Sequence, residues 1–203
     1  FWWDTLKRDV ENFVNSCTIC QAHANVQLQY HLPLQPTMVV PKQPFAEIHL
    51  DFCGPGLGPA DDGRSLVLVM VDPLSQMILL EPSPLESSTA VIVEILIRRL
   101  FTVFGIPRTL RTDRAKPFMS ALMKAVCNMF GIEDTHSAAY TANANGLAEN
   151  SVKLFKRLLA KTVAESPSKQ LSEHIPWIQY ALNNTQRGST GLTPHEVVFG
   201  RKG

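Results

Sequence analysis

The chain has 203 residues, of which 45% are hydrophobic and 18% are charged, and its formal net charge is +1. This composition is typical of a globular protein with one sizeable core, and it excludes an intrinsically disordered chain. We expect no membrane partner, because the most apolar run, residues 91–100, is short and contains Glu94, Arg98 and Arg99.

Charge is distributed unevenly along the chain. Residues 151–203 contain eight Lys or Arg against three Asp or Glu. This local excess could serve a polyanion such as nucleic acid, and a solvated helix surface explains it equally well. Of the four cysteines only two are closely spaced, which is not a disulfide framework, so a reducing intracellular compartment fits better.

The first predicted element is an amphipathic helix over residues 3–16, followed at once by Cys17-Thr-Ile-Cys20. Two cysteines at this spacing after a helix form half of a zinc site, because two thiolates on a tight turn occupy two corners of a tetrahedron. No other ligand in the chain has a persuasive spacing. Either the partner ligands precede Phe1 or the cysteines bind no metal, and we favour the first interpretation.

A stretch rich in Pro and Gln over residues 23–46 predicts a linker, since Pro at this density prevents a helix and favours extended backbone. The segment Glu47 to Cys53 then alternates as a strand, with its apolar residues on one side and Asp51 on the other. Asp is depleted in strands. An exposed sheet face would tolerate it, and a carboxylate displayed on a rigid platform is the functional alternative.

The rest of the chain predicts strands and helices in alternation. The further strands are expected at residues 65–71, 77–80, 109–112 and 132–137. The helices are expected from a cap at residues 87–89 to residue 104, and at residues 118–130, 143–164 and 171–186. The first of these helices has enough β-branched residues to suit a strand, but its length and the following Gly and Pro favour a helix. This order implies a mixed α/β sheet that begins as an antiparallel meander.

The helix at residues 143–164 is amphipathic. Glu149, Lys153 and Lys156 lie on one side of a helical wheel. The side expected to face the core carries Leu147, Ser151, Leu154, Phe155 and Leu158. Charges on such a helix usually just solvate its exposed face, so Glu149 matters only if other carboxylates converge on it.

Two other acids stand where that convergence is expected. Asp51 lies on the first strand and Asp113 directly after the fourth, and 35 residues separate Asp113 from Glu149. This set resembles the D,D-35-E core of retroviral and Ty3/gypsy-type retrotransposon integrases. Flanking segments are also similar to that family, in the family's order: IHLDFCGP, FGIPRTLRTDRAKPF, NGLAEN and TGLTPHEVVFGR. The segment from Phe1 to Gln21 resembles the second half of the integrase His2Cys2 zinc module.

The resemblance implies an RNase H-like fold with a five-stranded mixed sheet flanked by helices. It divides the chain into half of a zinc module at residues 1–22, the linker at 23–46 and a catalytic core at 47–203. It also implies two Mg²⁺ or Mn²⁺ ions held by Asp51, Asp113 and Glu149, because hard cations prefer carboxylate oxygens. Zinc at Cys17 and Cys20 would require histidines supplied from outside the chain.

The implied reactions are 3′-end processing of element DNA and its strand transfer into target DNA. By the same resemblance, the residues expected to contact DNA are Lys153, Lys156, Asn143, Asn145 and Arg114. A homodimer or higher multimer and a nuclear location are implied as well.

The chain departs from the family pattern at several positions near the expected site. Ala115 stands where Gly is usual, and would be strained if that backbone required a positive φ. The loop at residues 140–147 lacks the family's His-Pro pair, and Asn150 replaces a usual Arg. These changes suggest relaxed selection for integration, as in an integrase gene domesticated by a host. The second hypothesis is therefore a domesticated domain retained for DNA or protein binding, with the acidic triad a relic. A nuclease acting on RNA–DNA hybrids is a third hypothesis, against which the flanking segments argue.

Overall fold

The structure is a computed structural model that describes residues 2–19, 41–54, 66–84, 87–113, 115–136, 146–166, 169–187 and 190–203, with the backbone alone at 146–149. The strands are β1 (Glu47–Cys53), β2 (Leu66–Val71), β3 (Ile78–Ser83), β4 (Thr109–Thr112) and β5 (Glu133–His136). The helices are α1 (Leu6–Ser16), α2 (Thr89–Leu96), α3 (Thr102–Phe104), α4 (Ala121–Phe130), α5 (Gly146–Glu165), α6 (Leu171–Asn183) and α7 (Pro194–Phe199). Most of the predicted linker lies outside the described residues.

Within the described residues the strands form a five-stranded sheet in the order β3-β2-β1-β4-β5. Strands β1, β2 and β3 are antiparallel, which confirms the predicted meander. Strands β4 and β5 run parallel to β1, because a helical crossover precedes each of them. The sheet is therefore mixed, as the order of elements predicted.

Apolar side chains bury both faces of the sheet. One face packs Ile48, Leu50, Leu68 and Met70 against helices α2 and α4. The other face packs Cys53, Val67 and Val69 against helices α5 and α6. Because successive residues of a strand point to opposite faces, β1 contributes its even-numbered residues to the first core and its odd-numbered residues to the second.

The helix reading of the β-branched stretch is correct. Ser88 caps α2 through its Oγ, which accepts a hydrogen bond of 3.4 Å from the Val91 amide. The helix continues through a π-helical turn, Ile97–Phe101, into α3 and stops at Gly105, where φ is 94°. The cap and the terminal glycine decided the structure against the local strand propensity.

Several element boundaries differ from those expected. Helix α4 starts at Ala121 rather than at residue 118, because the Ser120 Oγ accepts a hydrogen bond of 3.2 Å from the Met123 amide and begins the helix there. Strand β3 continues to Ser83, three residues beyond the predicted end. Helix α6 ends at Asn183, and helix α7 was not predicted, although Thr193 and Glu196 form a capping box at its start.

The apolar stripe of α5 is rotated from the one expected. Its buried residues are Val152, Phe155 and Leu159, while Leu154 and Leu158 are only partly buried. The prediction was therefore wrong for Ser151 and right for Phe155, because the packing angle against the sheet selects which side of a helix is buried. Lys153 and Lys156 are exposed, as predicted.

Helix α6 covers the outer edge of β3. The Asn183 side chain accepts a hydrogen bond of 2.9 Å from the Ile78 amide and donates one of 2.8 Å to the Ile78 carbonyl. The Gln179 side-chain Oε1 accepts a third, of 2.8 Å, from the Leu80 amide. The side-chain amides of Asn183 and Gln179 take the hydrogen-bonding place of a neighbouring strand, so this edge is closed to further pairing. Within the described residues, no helix has both the length and the apolar character needed to cross a bilayer.

Candidate metal and nucleic-acid site

Asp51 lies near the carboxyl end of β1, on the face of the sheet that α5 and α6 cover. Its side chain is half-buried, and its Oδ1 accepts a hydrogen bond of 2.7 Å from the Phe52 amide. Because Asp51 and Cys53 are two residues apart on a strand, they point to the same face. The rigid platform predicted for this carboxylate is therefore a central strand of the sheet.

Asp113 directly follows β4, the parallel neighbour of β1. The pairing of the two strands runs from Glu47 with Thr109 to Leu50 with Thr112. Asp51 and Asp113 are the residues that directly follow this last pair on the two backbones. Asp113 is exposed. The parallel register thus brings together two acids that are distant in sequence.

The expected strain at Ala115 is absent. Among the described residues other than glycine, a positive φ occurs only at Phe45 and Gln76. The Ala115 amide donates a hydrogen bond of 3.0 Å to the Asp113 Oδ1, which closes a turn after the strand. The backbone here does not need glycine, so the change to alanine causes no strain of this kind.

Glu149 lies on the first turn of α5, and its side chain is outside the described part of the structure. The helix packs on strands β1 and β2 through Val152, Phe155 and Leu159. The backbone of Glu149 is three residues before Val152, about one helical turn. The helix that carries Glu149 therefore crosses the sheet face that carries Asp51.

The Cys53 thiol connects Asp51 electrostatically with α5. Burial raises the pKa of this thiol to about 11, the positive charge of Lys156 lowers it, and the negative charge of Asp51 raises it. Both charges must therefore lie within electrostatic reach of the thiol. Lys156 follows the buried Phe155, which packs in the same cluster as Cys53, and Lys153 lies about one turn earlier on the exposed side of the helix.

A second polar group lies on the same face, toward the start of the strands. The Glu47 Oε1 is 2.8 Å from the His49 Nε2 and accepts a hydrogen bond of 2.9 Å from the Arg111 Nε. His49 is fully buried, so its role here is structural. Glu47 and Arg111 were not predicted as a pair, because only the register of β1 and β4 shows that two residues 64 positions apart are paired.

The described residues contain no cluster of three His, Cys, Asp or Glu side chains that could hold a metal ion. They do contain the pair Asp51 and Asp113, whose carboxylate oxygens are the donors that Mg²⁺ and Mn²⁺ prefer. The donor chemistry of this pair fits a hard divalent cation. Of the other predicted site residues, Cys17 is half-buried just after α1. The remainder lie outside the described residues: Cys20, Arg114, Asn143 and Asn145.

A mixed sheet flanked by helices, with carboxylates at the ends of two neighbouring parallel strands, is the architecture of an RNase H-like domain. Two family models match the chain. The integrase core domain matches residues 41–142, and the integrase zinc binding domain matches residues 1–26. The chain belongs to the integrase core domain family.

Relatives occur in viral and transposon polyproteins. The chain is 30% identical over 201 residues to the Pro-Pol polyprotein of feline foamy virus, a match that covers 98% of this chain and 17% of the polyprotein. It is 24% identical over 198 residues to the transposon Tf2-3 polyprotein of Schizosaccharomyces pombe, covering 98% of this chain and 15% of the polyprotein. The chain therefore spans about a sixth of the length of these relatives.

Solved structures of integrases share the fold. The simian T-cell lymphotropic virus intasome, in complex with PP2A regulatory subunit B56 gamma, matches with a TM-score of 0.72 and 17% identity over 95% of this chain and 66% of that chain. The HTLV-2 integrase catalytic core domain in complex with magnesium matches with a TM-score of 0.61 and 20% identity over 76% of this chain and 97% of that chain. At these identities the likeness shows the fold alone.

Proposed function

We propose that this chain is the catalytic part of an integrase-type polynucleotidyl transferase, which processes DNA 3′ ends and transfers them into target DNA. One observation carries the proposal: Asp51 and Asp113 directly follow the last residue pair of two neighbouring parallel strands, and the helix that bears Glu149 crosses the face that carries Asp51. Like-charged carboxylates that lie close together repel unless a cation lies between them. Their juxtaposition is therefore a cost that metal binding would offset.

In this proposal Asp51, Asp113 and Glu149 would hold two divalent cations. When bound, such ions activate a water or a DNA 3′-hydroxyl and stabilise the oxygen that leaves the scissile phosphate. The protein's own contribution is to hold three carboxylates in place and to orient the DNA backbone. Asp51 is suited to this role because its strand is central, and its carboxylate is oriented by the hydrogen bond from the Phe52 amide.

Lys153 and Lys156 are proposed to bind DNA phosphates beside the acids. Both are exposed, and Lys156 lies within electrostatic reach of the Cys53 thiol, as does Asp51. A cation at this position can neutralise a phosphate next to the reacting bond. Arg114, Asn143 and Asn145 are proposed as further DNA contacts from the adjoining loops.

The wider assignments are proposals of the same kind. Residues 1–22 would form half of a zinc module in which Cys17 and Cys20 are two ligands, followed by the linker at 23–46 and the core at 47–203. The zinc proposal is supported by the match of the zinc binding domain to residues 1–26. We further propose assembly into dimers or higher multimers on DNA and action in the nucleus, where chromosomal DNA is located.

A strand-transfer or disintegration assay on branched DNA with Mn²⁺ or Mg²⁺ tests the catalytic proposal. The folded chain should be active, and the Glu149→Gln variant should lose the activity. Glu133→Gln is a matched control, because Glu133 is an exposed acid on β5. Activity that Glu149→Gln leaves unchanged would mean that the site is wrong. Folded but inactive wild-type protein would refute catalysis by this chain.

A second candidate function is a domesticated domain that binds DNA or protein without catalysis. The departures from the family pattern in the loop at residues 140–147 and at Asn150 favour it. DNA binding through α5 is common to both functions, so replacing Lys153 and Lys156 together with Ala should weaken binding and flatten its salt dependence. Lys124→Ala, on helix α4 of the opposite face, should change neither. An unchanged salt slope in the double variant would exclude this face as the DNA contact.

A further inference from the structure

Two phenylalanine rings join the strand that carries Asp51 to the turn that follows Asp113. The rings of Phe52 and Phe118 are stacked, with centroids 5.2 Å apart and planes inclined by 18°. Phe118 is fully buried, and Phe52 packs against the same apolar cluster. Because alternate residues of β1 point to opposite faces, this stack lies on the side of the sheet away from the Asp51 carboxylate.

On the β1 side, the stack is connected to Asp51 through one residue. Phe52 carries the ring, and its amide donates the 2.7 Å hydrogen bond to the Asp51 Oδ1. The last described pair of the β1–β4 ladder is Leu50 with Thr112, so this amide lies beyond that ladder. A shift of the Phe52 backbone would therefore move the donor that orients the Asp51 carboxylate.

On the β4 side, two hydrogen bonds connect the stack to Asp113. The Phe118 amide donates to the Ala115 carbonyl at 3.0 Å, and the Ala115 amide donates to the Asp113 Oδ1 at 3.0 Å. The same turn is also attached to α2, because the Thr89 hydroxyl donates to the Pro117 carbonyl at 3.0 Å. The turn that follows Asp113 is thus held by the buried ring of Phe118 as well as by these hydrogen bonds.

We propose that the Phe52–Phe118 stack positions Asp51 and Asp113 relative to one another for divalent-cation binding. The inference rests on the proposed function, since it assigns positioning residues to that metal site. Two carboxylates that repel each other would move apart if the backbone segments that carry them could shift easily. A buried aromatic stack resists this, because close-packed rings move little without losing contact area. Mg²⁺ makes the requirement strict, since it needs near-octahedral ligands at about 2.0–2.1 Å.

The same core contains a second stack that serves as a matched control. Phe45 and Phe104 are stacked with centroids 3.9 Å apart, and both pack in the cluster that contains Phe118. Phe45 lies two residues before the start of β1, whereas Asp51 lies toward the other end of that strand. Loss of this stack should lower stability without disturbing the acidic pair.

The test is a Mn²⁺ titration of the full chain in which electron paramagnetic resonance measures the concentration of free ion. Thermal unfolding is measured in parallel. Phe118→Leu should weaken Mn²⁺ binding by about 10-fold, the lower end of what loss of a supporting contact causes at metal sites. Phe52→Leu should weaken it similarly, and because Phe52 is only half-buried it is the variant that retains the fold more readily. Phe104→Leu should change the affinity by less than about 2-fold at a comparable loss of thermal stability.

The outcomes separate this inference from the function on which it rests. If wild-type protein binds Mn²⁺, and Asp51→Asn abolishes the binding, the metal site stands. If, in that case, Phe118→Leu and Phe52→Leu bind as tightly as wild type, or no more weakly than Phe104→Leu, the positioning role is refuted and the metal site survives. If wild type shows no binding that depends on Asp51, both proposals fail together.

Discussion

Two groups of polar side chains lie along β1 and β4 on the same face of the sheet. One group combines opposite charges, and the other combines like charges. Near the start of β1 and β4, Glu47 is paired with Arg111 and contacts the buried His49, so an acid meets a cation and a hydrogen-bonding ring. Near the carboxyl ends of the strands, Asp51 and Asp113 place two like charges directly after the last paired residues, Leu50 and Thr112.

We propose that the first group serves the fold and the second serves function. Opposite charges that meet within the sheet satisfy each other and require nothing else. Two neighbouring carboxylates raise the energy of the folded chain unless a cation joins them. A fold retains such an arrangement where a ligand offsets its cost. The contrast predicts that the two groups respond in opposite directions to substitution.

The largest expected effect is on catalysis. Asp51→Asn should reduce metal-dependent strand transfer by roughly 10³-fold, because it removes a charge that holds the cations at the reacting phosphate. Rates should be measured in Mn²⁺ and Mg²⁺ on protein whose folding is confirmed by circular dichroism. Glu133→Gln makes the same chemical change on β5 and should retain activity. Equal loss in both variants would remove the distinction drawn here.

The next effect concerns Cys53, which follows the acidic pair on the same face. Burial raises its pKa to about 11 from an ordinary value of 9.0, so the unfolded chain loses this proton at lower pH than the folded chain. The stabilisation is therefore fully present below about pH 9 and is lost as the pH rises toward 11, by about 2–3 kcal/mol. Urea unfolding at increasing pH should show a shallower decline for Cys53→Ala.

Cys127 provides the matched control for that prediction. Burial raises its pKa to about 11 as well, but the charge that acts on it is that of Asp134. Lys156→Ala should steepen the decline that Cys53 contributes and leave the Cys127 contribution unchanged, since Lys156 acts on Cys53 alone of the two. Equal effects on both thiols would refute a local position of Lys156 beside Asp51 and Cys53.

A smaller effect is expected from the paired group. Glu47→Gln should lower the free energy of unfolding by about 1–2 kcal/mol, because Arg111 and His49 lose a charged partner in a partly exposed site. The Mn²⁺ affinity should stay within about 2-fold of wild type. Urea unfolding and a Mn²⁺ titration on the same sample test both statements. A large loss of Mn²⁺ affinity would mean that Glu47 and its partners belong to the metal site.

The smallest effect has the opposite sign. In the absence of metal, Asp113→Asn should raise the free energy of unfolding by less than about 1 kcal/mol, because it relieves repulsion at an exposed position. Wild-type protein should gain stability from Mn²⁺, and the variant should gain less. Unfolding in EDTA and in Mn²⁺ gives both numbers. A variant less stable than wild type in EDTA would mean that Asp113 mainly supports the turn through its hydrogen bond to Ala115.

Local patterns were sufficient for most of the fold. The alternation of residues 47–53 and the apolar run of β2 predicted strands, because a period of two is visible in a short segment. Element boundaries that depend on a single side-chain hydrogen bond were harder to predict from the sequence. The start of α4 at the Ser120 cap is an example. Helix α7 was not predicted, although its start was visible in the sequence. Thr193 and Glu196 form a capping box before a short apolar run.

Residue types and strand alternation were enough to identify the candidate acids, and the spacing of Asp113 and Glu149 indicated a family. The folded chain was needed to show that β1 and β4 are parallel neighbours up to Leu50 and Thr112, that Glu47 pairs with Arg111, and that α5 packs on the sheet through Val152 and Leu159. The physical reason is that strand register and helix rotation are set by contacts between distant segments. A residue's type shows what chemistry it can perform, and the packing of the whole chain selects the partner.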